Sequence, residues 1–248
     1  MTTERDADGA LLRVEGISKR FRGLKAVNNV SFSVAEGEIV ALIGPNGAGK
    51  TTTFNVIAGV FRPDEGTVHL ADRRLDGLRP DQVCRAGIGR TFQLVRPFAG
   101  LTVEQNVAIG ALKAKRRVGA ALAAAAEKLR IVGLHDKRHQ LASGLTLPDR
   151  KRLEVARALA TEPRLLLLDE VMAGLTPTEM DEMVATFRDL NRTTGLTILL
   201  IEHVMRAVMA LSRHIVVLHH GETICEGAPE AVVRDPAVLE CYLGEEAV

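Results

Sequence analysis

Three short runs of this chain are apolar without a break: Ile39-Val40-Ala41-Leu42-Ile43, Leu165-Leu166-Leu167-Leu168 and, after one threonine, Ile198-Leu199-Leu200-Ile201. Each has strand length and no polar alternation, the pattern of a strand whose sheet is covered on both faces. Leu11-Leu12-Arg13-Val14 and Val30-Ser31-Phe32-Ser33-Val34 instead alternate, as half-buried strands do. Helical spacing runs from Lys50 to Val60 and stops at Arg62-Pro63. Residues 101–130, rich in Ala, Lys, Arg, Glu and Leu, read as helix with a stop at Gly133, and residues 151–160 and 177–192 read as two more. Ile215-Val216-Val217-Leu218 and Glu222-Thr223-Ile224, joined at His219-His220-Gly221, suggest a hairpin. Strands alternating with helices predict an α/β fold on a mainly parallel sheet. We expect a polar tail at 1–10, then one domain over 11–248 with an inserted helical subdomain at about 97–160 and a small antiparallel β portion.

Composition removes several function classes. Lys plus Arg is 32 against 31 for Asp plus Glu, a net charge of +1, and aromatics are 3% with no Trp. Neither the basic excess nor the stacking platform of a nucleic-acid binder is present, so no nucleic-acid partner is expected. Cys84, Cys225 and Cys241 show no CxxC spacing and read as indifferent thiols of a reducing compartment. The opening MTTERDADGA lacks the apolar stretch of a secretory signal, and the longest small-apolar run, Val118 to Ala126, is too short to span a bilayer. Any membrane role is therefore expected to come through a partner.

The chemistry begins at Gly44-Pro45-Asn46-Gly47-Ala48-Gly49-Lys50-Thr51, which fits G-x-x-x-x-G-K-[ST] between a buried strand and a helix. Glycines there let backbone N–H groups converge on phosphate oxygens, and the helix N-terminus adds its positive dipole end. Lys50 is placed to reach the β- and γ-phosphates and the Thr51 hydroxyl to hold Mg²⁺. Asp169-Glu170 follows the four-leucine strand directly, at the strand end where open α/β sheets bind ligands. Alone, two acids there could simply cap the next helix. With the phosphate loop upstream, Asp169 reads as reaching the Mg²⁺ shell through water and Glu170 as orienting an attacking water. His203 ends another buried strand, where an imidazole can donate to the γ-phosphate, although a lone histidine is more often structural. Gln93 could complete the metal and water shell.

Together these residues resemble the nucleotide-binding subunits of ABC transporters, over essentially the whole chain from about residue 11. Gly44 through Thr52 looks like the Walker A motif, Gln93 the Q-loop and Leu165 to Asp169 the Walker B. Glu170 looks like the catalytic glutamate and His203 the switch histidine, and Phe21 sits where the family places an aromatic against adenine. The resemblance implies ATP and Mg²⁺ as cofactors. Nucleotide contacts would come from Phe21, Gly44, Pro45, Asn46, Gly47, Ala48, Gly49, Lys50, Thr51 and Thr52, and metal contacts from Thr51, Gln93 and Asp169. Catalysis would rest on Lys50, Gln93, Glu170 and His203. The segments Gly23 to Val30, Arg90 to Phe98, Ala173 to Pro177, Ile201 to Met205 and Tyr242 to Glu245 are similar to the branched-chain amino acid transport ATPases. The implied partners are membrane permease subunits and a second cassette, identical or different, and the implied location is peripheral, at the cytoplasmic membrane face. The rivals are a transporter ATPase for another small solute, a non-transport ABC ATPase and a P-loop kinase. The chain has neither tandem cassettes nor a long coiled coil, and no separate acceptor-binding insertion.

One segment departs from the family pattern. The family's Leu-Ser-Gly-Gly-Gln signature should precede Lys151-Arg152-Leu153-Glu154-Val155, and that position holds Leu145-Thr146-Leu147-Pro148-Asp149. Thr146 keeps a hydroxyl, Leu147 adds a side chain where bare backbone is usual, and Pro148 has no N–H to donate. Thr176 likewise stands where an Asp is usual. The loop over 146–149 is expected to complete a nucleotide site on the partner cassette only weakly.

Overall fold

A computed structural model describes residues 9–93 and 96–243. Most of the expected tail, the pair Leu94-Val95 and the closing residues 244–248 lie outside the described residues. The strands run β1 (Ala10–Phe21), β2 (Leu24–Ala35), β3 (Ile39–Ile43), β4 (Glu65–Leu70), β5 (Arg73–Arg74), β6 (Ile88–Arg90), β7 (Leu165–Asp169), β8 (Thr197–Ile201), β9 (His214–His219) and β10 (Glu222–Gly227). The helices are α1 (Lys50–Ile57), α2 (Pro80–Ala86), α3 (Val103–Ala111), α4 (Val118–Ile131), α5 (Leu147–Leu159), α6 (Pro177–Thr194), α7 (Met205–Leu211), α8 (Pro229–Val232) and α9 (Pro236–Leu243).

The larger sheet has the order β10-β9-β3-β8-β7-β6, parallel except for β10, and the smaller one is antiparallel in the order β2-β1-β4-β5. The unbroken apolar runs are explained by two cores on opposite faces of the larger sheet. Ile39, Ala41, Ile43, Leu166, Leu168, Ile198 and Leu200 face α3 to α7, while Val40, Leu42, Leu165, Leu167, Leu199 and Ile201 face α1 and the antiparallel sheet. Successive side chains point to opposite faces, so a strand covered twice needs an apolar residue at every position. Each fully buried Leu or Ile contributes about 1.5–3 kcal/mol of transfer free energy.

Three expectations about elements are corrected. The expected helix over 101–130 is two helices, α3 and α4, with a break at 112–117. In the break Lys113 Nζ donates to the Thr161 carbonyl (2.7 Å) and Lys115 pairs with Glu162 (2.9 Å), which pins the chain to the turn after α5 while it reverses. Of the four basic residues Lys113, Lys115, Arg116 and Arg117, the two lysines are thus engaged within the chain. Gly110 lets α3 cross α5 closely, since a Cβ there would sit 2.6 Å from the Arg157 carbonyl oxygen. Next, α5 begins at Leu147 rather than at 151, because Thr146 caps it and Pro148 occupies a first-turn position that needs no intrahelical N–H. Finally, α1 ends at Ile57, short of Val60. The short elements β4, β5, β6, α2, α7, α8 and α9 had no periodic signature long enough to read.

Candidate functional site: a phosphate loop and four strand ends

The strands β6, β7, β8 and β3 are mutually parallel neighbours, so the segments that follow them emerge along one edge of the sheet. The register makes this concrete: Leu42 and Asp169 both pair with Ile201, and Arg90 pairs with Leu167. The phosphate loop, Asp169-Glu170, Glu202-His203 and the segment from Arg90 to Gln93 therefore converge although they are far apart in sequence.

After β3 the chain takes positive φ at Gly44 (144°), Gly47 (79°) and Gly49 (99°) before entering α1. Gly44 and Gly49 are also sterically required, because a Cβ would lie 2.0 Å from the Leu218 carbonyl oxygen and 2.5 Å from that of Ala26. Pro45 and Ala48 are buried, Asn46, Gly47 and Thr51 are exposed, and Thr52 is half-buried. Lys50 is largely buried and its Nζ spans the loop, donating to the carbonyls of Gly44 (2.5 Å) and Pro45 (2.8 Å). The β9–β10 turn braces the loop from outside. Gly221 N donates to the Ala48 carbonyl (3.1 Å), the Gly221 carbonyl accepts from Asn28 N (2.7 Å), and the Asn28 side-chain amide donates to Glu222. Gly221 carries φ 82°, and a Cβ there would press on Ala26 at 2.9 Å. His219 and His220, in the same turn, stack with ring centroids 4.0 Å apart.

Asp169 closes β7 with its side chain 3% exposed. Its Oδ2 accepts from Arg90 Nη2 (3.0 Å), and Arg90 is fixed in turn by donating to Asn55 Oδ1 (2.7 Å). Asp169 Oδ1 is buried with no partner among the described residues. Burial pushes this carboxyl above the usual range, against the Arg90 contact that favours the charged form. A buried, unused carboxylate oxygen is the hard donor that Mg²⁺ or a water bound to it requires. Thr51, Gln93 and Asp169 line one open cavity of about 460 Å³, so the residues present fit the metal.

Glu170 lies one residue on, at φ 49°, in the left-handed region that side chains disfavour. Its Oε2 accepts from Gln93 Nε2 (2.6 Å) and its Oε1 lies 4.0 Å from His203 Nδ1. The three polar groups singled out in sequence thus meet in space. Phe21 is not part of this gathering: it ends β1 on the other sheet and packs edge-on against Phe61 at 5.1 Å, with the Lys19 ammonium 5.8 Å from its ring.

The sequence reading missed several groups at the same edge. Glu202 is fully buried, accepts from Met172 N (2.9 Å) through Oε1, and has Oε2 with no partner among the described residues. Burial pushes its carboxyl up to about 7. Lys151 is buried and its Nζ donates to the Glu170 carbonyl (2.9 Å). Desolvation lowers its pKa, opposed by the charges of Glu202, Glu170 and Asp169. A signal existed for Lys151: it lies four and seven positions before Val155 and Ala158, on the apolar stripe of α5.

At the α5 N-terminus, the Thr146 hydroxyl accepts from Asp149 N (3.4 Å) and donates to Asp149 Oδ2 (3.0 Å). Asp149 also takes an ion pair from Lys137 (2.5 Å). Leu147 is 49% exposed.

Residues 27–173 match the ABC transporter family, and residues 222–248 match the branched-chain amino acid ATP-binding cassette transporter family. The chain is 44% identical to the high-affinity branched-chain amino acid transport ATP-binding protein LivG of Salmonella typhimurium, across 95% of this chain and 98% of that one. It is 39% identical to the high-affinity branched-chain amino acid transport ATP-binding protein BraF of Pseudomonas aeruginosa, across 95% of this chain and 98% of that one. Among solved structures, the ADP conformation of an ATP-binding cassette of an ABC transporter superposes with a TM-score of 0.86 at 32% identity, over 95% of this chain and 99% of that one.

Proposed function

This chain belongs to the ABC transporter ATP-binding family and is an ATPase of that family; we propose that it binds MgATP between two cassettes and that hydrolysis drives a membrane permease for branched-chain amino acids. The solute class rests on the similarity to LivG and BraF and on the family match at 222–248. Among the described residues no helix is long and apolar enough to cross a membrane. Attachment at the cytoplasmic face is therefore assigned to the permease.

The observation that carries the mechanism is the meeting of Gln93, Glu170 and His203 on the edge that holds the phosphate loop. Gly44 to Gly49 and the first amides of α1 cradle the phosphates, with Thr52 behind them. Lys50 exchanges its two loop carbonyls for the β- and γ-phosphate oxygens and offsets charge that develops during transfer. Thr51 and Asp169, the latter through water, would hold Mg²⁺, with Gln93 beside them; bound Mg²⁺ supplies further positive charge against the phosphate oxygens. Glu170 orients the attacking water for in-line displacement, and His203 donates to the γ-phosphate. Phe21 is assigned to the adenine ring. The test is Glu170→Gln, which should keep ATP binding while slowing hydrolysis by roughly 10²-fold or more. Loss of affinity equal to that of Lys50→Ala would contradict the division of roles, and a phosphorylated acceptor in place of free phosphate would favour the kinase.

We assign the permease contact to a groove of about 250 Å³ between α2, α3 and α5, where Val60, Phe92 and Ile109 are exposed beside Glu154 and Arg157. The assigned contact includes the segment from Leu94 to Leu101, of which Leu94 and Val95 lie outside the described residues. Asn106, fully buried, anchors the remainder by accepting from Phe98 N (2.8 Å) and donating to the Phe98 carbonyl (3.1 Å). Phe98 is exposed, with the Arg157 guanidinium 5.2 Å from its ring. A cysteine at 98 should crosslink to a cytoplasmic permease loop; crosslinks confined to 219–230 would move the contact elsewhere.

We further assign the second cassette to a different chain with an intact signature. Thr146, Leu147, Pro148 and Asp149 are poorly suited to the partner's γ-phosphate: one first-turn amide is absent, another is capped by Thr146, and a carboxylate stands beside them. The two composite sites are then unequal.

A further inference from the structure

We infer that Lys151 is a positioning residue for hydrolysis, one that ties the signature end of α5 to the backbone turn carrying Glu170. The inference rests on the role proposed above for Glu170.

Glu170 occupies a backbone conformation that a non-glycine residue adopts only when its surroundings hold it there. The holding contacts are specific. Glu170 N donates to the Ile201 carbonyl (3.0 Å), and the Glu170 carbonyl accepts from Ala173 N (3.3 Å) and from Lys151 Nζ (2.9 Å). Two residues on, Met172 N donates to Glu202 (2.9 Å). The turn is thus gripped from one side by a cation on α5 and from the other by a carboxyl at the end of β8. A buried ammonium is costly unless it is well partnered, and this one lies 5% exposed in the field of Asp169, Glu170 and Glu202. A methionine or leucine would fill the same volume at no desolvation cost, so a purely structural explanation does not account for the charge.

The helix that carries Lys151 is the one whose first turn holds 147–149, the segment assigned to the partner's nucleotide. A second contact links the same two elements: Leu147 Cδ2 packs where a Cβ on Gly174 would come within 3.3 Å. The start of α5 therefore touches the turn after β7 near both of its ends, at 170 and at 174. A shift of α5 when a partner docks on its N-terminus is transmitted to the Glu170 carbonyl through one side chain. Displacing a water-orienting acid by about 1 Å is enough to cost roughly 10²-fold in rate.

The experiment compares Lys151→Met and Lys151→Arg in the full-length chain, following ATP hydrolysis, the binding of trinitrophenyl-ATP and thermal unfolding. Lys151→Met should lower kcat roughly 10- to 100-fold and leave KM and probe affinity within about twofold. Lys151→Arg, which keeps a cationic donor, should recover most of the rate. In a Glu170→Gln background, Lys151→Met should change the residual rate by less than about twofold, because the group it positions is gone. Lys151→Gln, a neutral donor, serves where Lys151→Met unfolds, with an intermediate kcat expected. A kcat within about twofold of the parent for Lys151→Met or Lys151→Gln overturns the inference. So does a matching loss of probe affinity, or a full multiplicative loss on top of Glu170→Gln. If Glu170→Gln itself leaves kcat intact, the proposed role of Glu170 fails, whatever Lys151 does.

Discussion

Two helix N-termini in this chain carry opposite chemistry. At α1 the residue before the helix is Gly49, no side chain caps the first turn, no acid lies in it, and its first residue is Lys50. At α5 the preceding residue is Thr146, whose hydroxyl caps Asp149 N, the second position is Pro148 and the third is an acid paired with Lys137. A helix start attracts anions through unsatisfied N–H groups and the dipole, and only the first of these starts keeps both available. The difference teaches that a helix N-terminus is a phosphate site only where the sequence declines to cap it. Capping stabilises α5 as a helix by the same contacts that disqualify it as an anion site.

The comparison can be broken hardest at α1. Lys50→Ala should cut ATP turnover by roughly 10²–10³-fold, the scale of removing one preorganised transition-state contact, as measured by phosphate release. A variant that keeps turnover would mean that the loop amides suffice.

The next effect lies on the same sheet edge. Because burial raises the Glu202 carboxyl to about 7 in the folded chain, the folded state binds the proton more tightly than the unfolded state does. Stability should therefore fall as pH rises from about 4.5 to 7 and level off above, by roughly 3 kcal/mol at most from this group. Glu202→Gln should flatten that slope in urea unfolding at pH 5, 6, 7 and 8. Equal slopes for the two proteins would show that another group carries the dependence.

At α5, replacing residues 146–149 with Ser-Gly-Gly-Gln keeps a capping hydroxyl but returns the amide that Pro148 lacks and removes the Asp149 carboxylate. A regained donor to phosphate is worth about 1.5–3 kcal/mol, so ATP turnover by the purified chain should rise roughly tenfold to a hundredfold. If the native chain already matches the restored one, the inequality of the two sites is wrong. The smallest effect expected is that of Thr146→Ala, which should cost about 1 kcal/mol of stability by removing the cap, seen in the denaturation midpoint, with no gain in turnover while Pro148 remains.

Reading the sequence succeeded where meaning is local. The strands β3 and β8 have the bounds their runs suggested, because a doubly covered strand must be apolar at every position. The phosphate loop was legible because its glycines encode positive φ and close backbone approach within one short segment. The helix over 101–130 failed for the complementary reason. Its composition favours helix throughout, and the break at 112–117 is imposed by Lys113 and Lys115 reaching the turn after α5. The α5 start was read late because Pro148 looks like a breaker unless it falls in a first turn.

What the sequence determined by itself is therefore the family of the fold, the phosphate loop and the residue types available for chemistry, all written in short-range spacing and backbone preference. Tertiary structure decided which of those residues lie together. Gln93 meets Glu170 across 77 positions, Arg90 meets Asp169 across 79, and Lys151 and Glu202 grip one turn from two different elements. The β9–β10 turn reaches the phosphate loop from near the far end of the chain through Gly221 N and the Ala48 carbonyl. Such contacts follow from the order and direction of strands in a sheet, and that order is set by burying two apolar faces at once, a condition no single segment expresses.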